Sequence, residues 1–503
     1  MKKKAVINIL ASVSAQVITI LCGLIVPRLL LATFGSEANG LVSSLTQFLN
    51  YIALVEGGLG SVVLTALYGP LAKKDKEAIS NVLAATNLFF KQIAYIFVAY
   101  VAVLAVVYPF IVKSSFSWLY VSSLTVILAL SLFIQYFFSI TYKLLLQADQ
   151  RMYVVQIVQI ISTIANLLVV LIVIRIWPSL HVVKLFSTLL FVVQPIVFSN
   201  YVNKNYSIDK KVKADKSYIP GRWSCFGQNF AYFIHENTDI VVLSIFTDLR
   251  VVSVYSVYLL VVNHLKSFFK SFSHAFAPMI GKAIAINDQE KAIEYFDVYE
   301  YIVTNVATVI FGVTIYLLPG FVMLYTKGIT DTDYYQPIFS TIIILAEMVY
   351  SIRDPYVSVV YAAGKFKETA ISAYIEAGIN ILLSVAFVRK FGLIGIAVGT
   401  LAGMLYRMIY LIYYIKRHIL NRPVTRTIKR LVISVSTIVI SYYIMDIVDV
   451  TGSETITLWI KNGVLSVIIY SLILVIINFI FDKHTSLNMI QLLKRRENQI
   501  SDE

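Results

Sequence analysis

The sequence predicts an all-α polytopic membrane protein with about fourteen transmembrane helices. Three observations predict it. Of 503 residues, 58% are hydrophobic and only 14% are charged, where a soluble chain carries about a quarter charged. Apolar runs long enough to cross a bilayer core, roughly 20 residues each, recur along the whole sequence. Lys and Arg gather in alternate loops between those runs, the asymmetry of a membrane topology.

The first element begins behind Met1-Lys2-Lys3-Lys4. Its apolar run continues to about Ala32 without an A-x-A-like cleavage site, so it reads as an uncleaved first span. The candidate helices begin near Ala5, Gly40, Val82, Trp118, Met152, His181, Trp223, Val251, Tyr299, Tyr334, Thr369, Gly392, Thr427 and Thr457. Gly35 and Gly40 bracket the first turn, Pro109 and Pro178 close the third and fifth helices, and Gly392 opens the twelfth.

With the N-terminus inside, inside segments hold about 27 Lys and Arg residues and outside loops about six. Fourteen spans return the C-terminus to the cytoplasm, where Lys494-Arg495-Arg496 lies. The net charge of +14 is thereby read as topology, and no nucleic-acid partner is expected. Cys22 and Cys225 offer neither a disulfide framework nor metal-ligand spacing.

The longest inside loop carries Lys204, Lys210, Lys211, Lys213, Lys216 and Arg222, and a second basic stretch runs from Lys416 to Arg430. The expected organisation is an N-lobe over 1–202 (helices one to six), a basic cytoplasmic linker over 203–222 and a C-lobe over 223–418 (helices seven to twelve). Two further helices follow within 427–481, then a cytoplasmic tail over 482–503. An internal repeat supports the division. Asp75 and Glu77 match Asp288 and Glu290 at an offset of 213. Ile79, Tyr142, Arg151 and Asn166 match Ile293, Tyr356, Lys365 and Asn380 at 214. Six spans per copy give parallel repeats, a transporter pattern.

Ionisable residues inside spans are costly, about 2.5–3.5 kcal/mol each at mid-bilayer, and mark functional positions. Lys266, Lys270 and His274 follow an i, i+4, i+8 spacing on one face of the eighth helix, an anion ladder whose alternative is snorkelling to the inner interface. The seventh helix carries His235, Glu236 and Asp239, of which His235 and Asp239 are i, i+4 neighbours. Either they form a structural pair or they form a protonatable site. Glu56 lies near the centre of the second helix, ahead of Gly57, Gly58 and Gly60, which allow a bend or a close helix contact. Pro27-Arg28 lies near the outer end of the first helix, where the proline marks a kink and outward snorkelling is the alternative to a functional role for Arg28. Glu347, Arg353 and Asp354 precede Pro355 on the tenth, with Arg353 and Asp354 as a candidate local ion pair. Lys91, Lys143, Glu376 and Arg407 fall in inner thirds, where snorkelling is the simpler account.

No Walker A, H-E-x-x-H or G-x-S-x-G motif is present. No catalytic residue, resident cofactor or metal is expected; Asp331 and Asp333 in a short outside loop are weak evidence for a metal.

Several segments together resemble the Wzx-type oligosaccharide flippases of bacteria, in the multidrug/oligosaccharidyl-lipid/polysaccharide exporter superfamily. They include Phe34-Gly35 through Asn39-Gly40-Leu41, Glu56-Gly57-Gly58-Leu59-Gly60 and Tyr68-Gly69-Pro70-Leu71-Ala72. In the second half they are Asn237-Thr238-Asp239, Val252 to Tyr258, Ala363-Gly364-Lys365-Phe366-Lys367-Glu368-Thr369, and Phe391-Gly392-Leu393 through Gly399-Thr400. The resemblance covers nearly the whole chain with diffuse similarities. It implies two six-helix lobes around a central cavity lined mostly by helices one, two, seven and eight, plus two extra helices. It also implies an undecaprenyl-pyrophosphate-linked oligosaccharide as substrate, carried across the bacterial cytoplasmic membrane by alternating access for surface polysaccharide (O-antigen or capsule) synthesis. Expected partners are the lipid-linked oligosaccharide, membrane lipid, a polysaccharide polymerase and glycosyltransferases. Within it, Lys266, Lys270, His274 and Arg28 are the expected pyrophosphate ligands. Glu56, His235 and Asp239 are the expected coupling groups for H+ or Na+.

Two other classes stay open: a drug/sodium antiporter of the same superfamily, disfavoured by the basic eighth helix, and a membrane-bound glycan-assembly enzyme or scaffold. Short outside loops argue against the enzyme.

Overall fold

The computed structural model describes residues 2–56, 58–209, 211, 212, 214–219, 226–447 and 455–482. Within its helices, the side chains of 2–6, 9, 216, 226–232, 234–236, 270–275 and 366 lie outside that description. Every long element among the described residues is a helix, and eleven stretches are long and apolar enough to cross a membrane. The chain is an integral, polytopic α-helical membrane protein. It divides into two compact units, one running to Ser256 with Gly328–Thr332 added, the other holding Val257–Lys327 and the chain from Asp333 on.

The first unit contains α1 (Lys2–Asn50), α2 (Ala53–Glu56), α3 (Leu59–Lys73), α4 (Lys76–Ile111), α5 (Trp118–Ile134), α6 (Ile140–Ala148) and α7 (Met152–Ile176). It also contains α8 (Leu180–Leu190), α9 (Val193–Asn205), α10 (Phe226–Phe246) and the first turns of α11 (Leu249–Ala285). The second contains the rest of α11, then α12 (Gln289–Tyr325), α13 (Pro337–Ala362), α14 (Phe366–Phe391), α15 (Leu393–His418), α16 (Thr425–Ile447) and α17 (Ile456–Phe481).

The fourteen expected spans map onto these elements. Gly35, at φ 80, splits α1 into the first two spans. α10 and α13 supply the two that the eleven long apolar stretches omit; α13 is less apolar because it carries Glu347, Arg353 and Asp354. The second span is itself broken. It stops at Asn50, turns through Tyr51 and Ile52, and restarts as the single turn of α2. It then passes through a left-handed Gly58 (φ 81) into α3. Of the two alternatives for these glycines, a bend or a close helix contact, the bend is present, and Glu56 is the last residue of α2.

The repeat reappears in backbone geometry. Lys74 (φ 58) and Asn287 (φ 56) are 213 residues apart, and Gln150 (φ 56) and Gly364 (φ 68) are 214 apart. Left-handed conformations are uncommon outside glycine, so their recurrence at the offsets of the sequence repeat marks equivalent junctions. Asp75 caps α4 by accepting from the Ala78 amide at 3.0 Å, and Asp288 caps α12 from Lys291 at 3.1 Å. The capped helices are 36 and 37 residues long.

Small residues set the closest packing. Gly395, Gly399 and Gly403 lie one turn apart on α15, and a Cβ on Gly399 or Gly403 would crowd the α14 backbone at Asn380 or Glu376. In the second unit α16 and α17 pack on α12. Tyr470 fills the space left by Gly312, the Trp459 indole donates to the Leu317 carbonyl at 3.1 Å, and Thr308 donates to Ser434 at 2.7 Å.

Candidate functional site

In the first unit, α1 beyond Gly35 faces α10 and α11 with a row of small and polar residues. The Asp331 carboxylate accepts from the Ser36 amide at 2.7 Å and from its hydroxyl at 2.5 Å. The Asn39 amide donates to Ser253 at 2.8 Å and to Ser256 at 3.2 Å. A Cβ on Gly40 would run into the Leu249 carbonyl, so only glycine allows this approach. Tyr108 donates to Ser44, which donates to Ser244 at 2.6 Å. Gln47 donates to Asn237. Each group satisfies another inside apolar surroundings, where an unmade bond costs most. The row ends in a tyrosine-rich region: Tyr255 donates to Asp239 at 2.7 Å, and Tyr51 packs edge-on against Phe233.

Glu56 lies 20 residues beyond Ser36, about 30 Å along the helix path, and accepts from Tyr136 at 3.1 Å. Tyr136 belongs to a π-helical segment, Gln135–Ser139, between α5 and α6. Such segments shift the register of the side chains they carry and recur at functional positions. Lys143, four residues past that segment, bears on Glu56 electrostatically.

The second unit holds a line of alternating charges across four helices. Lys266 of α11 pairs with Glu347 of α13 at 3.0 Å. Lys266 and Arg353 both lie against the Tyr350 ring, at 5.2 and 4.8 Å from its centroid. Arg353 pairs with Glu376 of α14, and Arg407 of α15 stands 3.9 Å from the same carboxylate. Arg407 also donates to the Thr369 carbonyl at 2.7 Å and to the Ser372 hydroxyl. Lys266, Glu347, Arg353 and Glu376 are all buried. Among the described residues, three cations of this line, Lys266, Arg353 and Arg407, meet two carboxylates, Glu347 and Glu376.

A separate network anchors α16. Glu300 accepts from Tyr356, Thr427, Arg422 and Arg430, and Asp297 accepts from Arg422 at 2.7 Å and Arg426 at 2.6 Å. It binds the basic stretch after α15 back onto α12.

Several expectations about pairing change. The suggested Arg353–Asp354 pair does not form: Arg353 turns to Glu376, while Asp354 accepts from Tyr299 at 2.5 Å. Adjacent helical residues point about 100° apart, so each reaches a different neighbour. Glu376 and Arg407 do not snorkel; they belong to the buried charge line. Asp331 and Asp333 cap turns, Asp333 accepting from the Tyr335 amide at 2.9 Å, and no group of metal-binding residues occurs among the described residues. Arg28 is half-buried on α1 beside Pro27. The side chains of His235, Glu236, Lys270 and His274 lie outside the described residues, as do Cys225 and Arg222. The neutral row on α1 was missed, although Ser36, Asn39, Gly40, Ser44 and Gln47 repeat at helical spacing.

No family model and no curated protein matches this chain. Solved structures do. One described as the lipid II flippase MurJ in an inward closed conformation matches with a TM-score of 0.69 at 16% identity, covering 93% of this chain and 98% of that one. This chain has that fold. An inward-facing multidrug resistance MATE family transporter of the MOP superfamily matches at 0.63 and 14% identity, covering 80% of this chain and 95% of that one. The eukaryotic MATE transporter AtDTX14 matches at 0.57 and 15% identity, covering 82% and 94%. The first of these matches therefore takes in a larger share of this chain than the two MATE matches do.

Proposed function

We propose that this chain is a flippase of the bacterial cytoplasmic membrane, with both termini cytoplasmic. Its substrate would be an undecaprenyl-pyrophosphate-linked oligosaccharide, moved between leaflets by alternating access for surface polysaccharide synthesis. The observation that carries the reading is the line of charges on α11, α13, α14 and α15, which places Lys266, Arg353 and Arg407 inside the helices. A pyrophosphate entering a low-dielectric region needs cations already in place, and attraction there is several times stronger than in water. Lys266 is the lysine of that line, paired with Glu347 at 3.0 Å, and a lysine ammonium on a flexible stem can turn from one anionic partner to another. Lys270, His274 and Arg28 are the other proposed pyrophosphate ligands. A likeness to a lipid II flippase over 93% of the chain, against 80% and 82% for the MATE transporters, supports a lipid-linked cargo over a drug. Glu56, His235 and Asp239 are the proposed coupling groups for H+ or Na+.

The test is reconstitution in vesicles with a fluorescent pyrophosphate-linked glycolipid, scored by leaflet-selective quenching. Wild-type protein should move the lipid, and Lys266→Ala should stop it without loss of reconstituted protein. Unchanged transport by Lys266→Ala would remove the anion role. Efflux of an organic cation without glycolipid movement would favour the drug antiporter.

A further inference from the structure

The first unit contains a cavity of about 870 Å³ that the proposed transport path does not use. The volume lies in the usual range for a small-molecule site, roughly 300–1,000 Å³. Its walls are α4, the π-helical segment with α6, α9, and the chain that follows α9. That chain crosses it like a strap: the Asp209 amide donates to the Ser80 hydroxyl at 3.1 Å, while its carboxylate is taken up locally by the Lys211 amide at 2.8 Å.

The cavity straddles the edge of the lipid-facing surface. On α4 the exposed large apolar residues run from Ile111 back to Tyr95 and stop. On the π-helical segment the last is Phe138, and on α9 the last is Val197. The polar lining begins within about a turn of each limit, with Lys91 on α4, Thr141 and Tyr142 on α6, and Ser199 and Asn200 on α9. Lys91 is 20 residues from Ile111, about 30 Å along α4, the thickness of a bilayer core. The polar half of the cavity is therefore at headgroup level. Phe138 and Ile196, 51% and 54% exposed, form its lipid-facing rim.

Lys91 supplies the charge. Its ammonium rests 5.2 Å from the centroid of the Phe137 ring and makes no hydrogen bond or ion pair among the described residues. A lysine at this depth, inside a cavity, with an aromatic face on one side and amides nearby, suits a phosphate. We infer that this cavity binds the phosphate headgroup of a membrane lipid, with the phosphate on Lys91, its polar substituent among Asn87, Tyr142 and Asn200, and its chains leaving past Phe138 and Ile196. The site is independent of the transported cargo, so its test uses an ordinary phospholipid and requires no transport.

The experiment is thermal unfolding of delipidated full-length protein in detergent. It is titrated separately with dioleoylphosphatidylglycerol, with dioleoylglycerol (the same chains without phosphate) and with inorganic phosphate. The phospholipid should raise Tm saturably and the other two should not. Lys91→Gln should raise the half-maximal lipid concentration about tenfold, the loss of one charge-assisted bond. Ala84→Phe, which fills the cavity, should abolish the rise, and Lys204→Gln, outside the lining, should leave it intact. An equal rise with dioleoylglycerol, or an unchanged titration for both Lys91→Gln and Ala84→Phe, would overturn the site. A rise with inorganic phosphate alone would overturn the lipid as its source.

Discussion

The two units solve the same problem differently. Both place polar groups inside apolar helices. The first does so with neutral partners: hydroxyls, amides and close backbone approach along α1, ending in carboxylates that accept from Tyr255 and Tyr136. The second uses full charges in alternation, from Lys266 through Glu347, Arg353 and Glu376 to Arg407. The difference is one of consequence. A hydroxyl–carboxylate pair tolerates a proton arriving on the carboxylate, because the protonated carboxyl keeps a carbonyl oxygen that can accept from the hydroxyl. An ion pair does not: removing either charge strands the other in a region of low dielectric. The first unit's pairs thus tolerate a change of protonation that the second unit's ion pairs do not.

Breaking the charged line should produce the largest effect. Glu376→Ala leaves Arg353 and Arg407 facing each other without their shared carboxylate. The expected destabilisation is about 3–5 kcal/mol, read as a large fall in Tm and in folded yield after detergent extraction. A loss no greater than that of a neutral hydrogen bond would mean that the alternation contributes little to the second unit.

The next effect tests the neutral row. Gly40→Val places a branched side chain against the Leu249 carbonyl. α1 must then move from α11, and the Asn39 bonds to Ser253 and Ser256 go with it. Overpacking of this kind costs about 1–3 kcal/mol, to be measured by thermal unfolding beside Gly69→Val, where a Cβ meets nothing within 4 Å. Equal losses at the two positions would show that the close approach is incidental.

These partners explain what the sequence made legible. Helix number, the broken second span at Gly58 and the repeated junctions were readable because they rest on local signals: apolar length, glycine and helix caps. The positive-φ residues at Lys74, Gln150, Asn287 and Gly364 fall within one residue of the matches Asp75, Arg151, Asp288 and Lys365 that the offset had already aligned. The positions of the buried charges were equally plain. Their partners were not, because a helix tells which face a residue occupies but not which helix covers it. Arg353 beside Asp354 looked like a pair, and Glu376, 23 residues on, took it instead. The π-helical register at Gln135–Ser139 left no trace in composition, although it decides that Tyr136 meets Glu56.

A smaller effect on stability, with a large one on transport, should separate structure from function at Lys266. Replacing both members of the pair, Lys266→Met with Glu347→Met, removes two buried charges together. Such exchanges are often neutral or stabilising by about 1–4 kcal/mol. Tm should therefore hold or rise, while glycolipid movement should be lost with the cation. Glu347→Met alone should lower Tm, because it strands Lys266. Full transport by the double variant would assign the pair to folding alone.

The smallest expected change bears on the neutral side of the comparison. Tyr136→Phe removes the hydroxyl that Glu56 accepts from at 3.1 Å and keeps the ring that packs on Phe90. The expected cost is about 1 kcal/mol. Glu56→Gln retains an acceptor oxygen for that hydroxyl and should leave Tm nearly unchanged. Transport separates them. If Glu56 carries a coupling proton, Glu56→Gln should uncouple movement from an imposed pH gradient while Tyr136→Phe shifts only its pH dependence. Vesicle transport across a series of pH gradients checks both. A response to the gradient that survives Glu56→Gln intact would return Glu56 to the neutral row as a structural acceptor and leave Asp239 as the carboxylate to test.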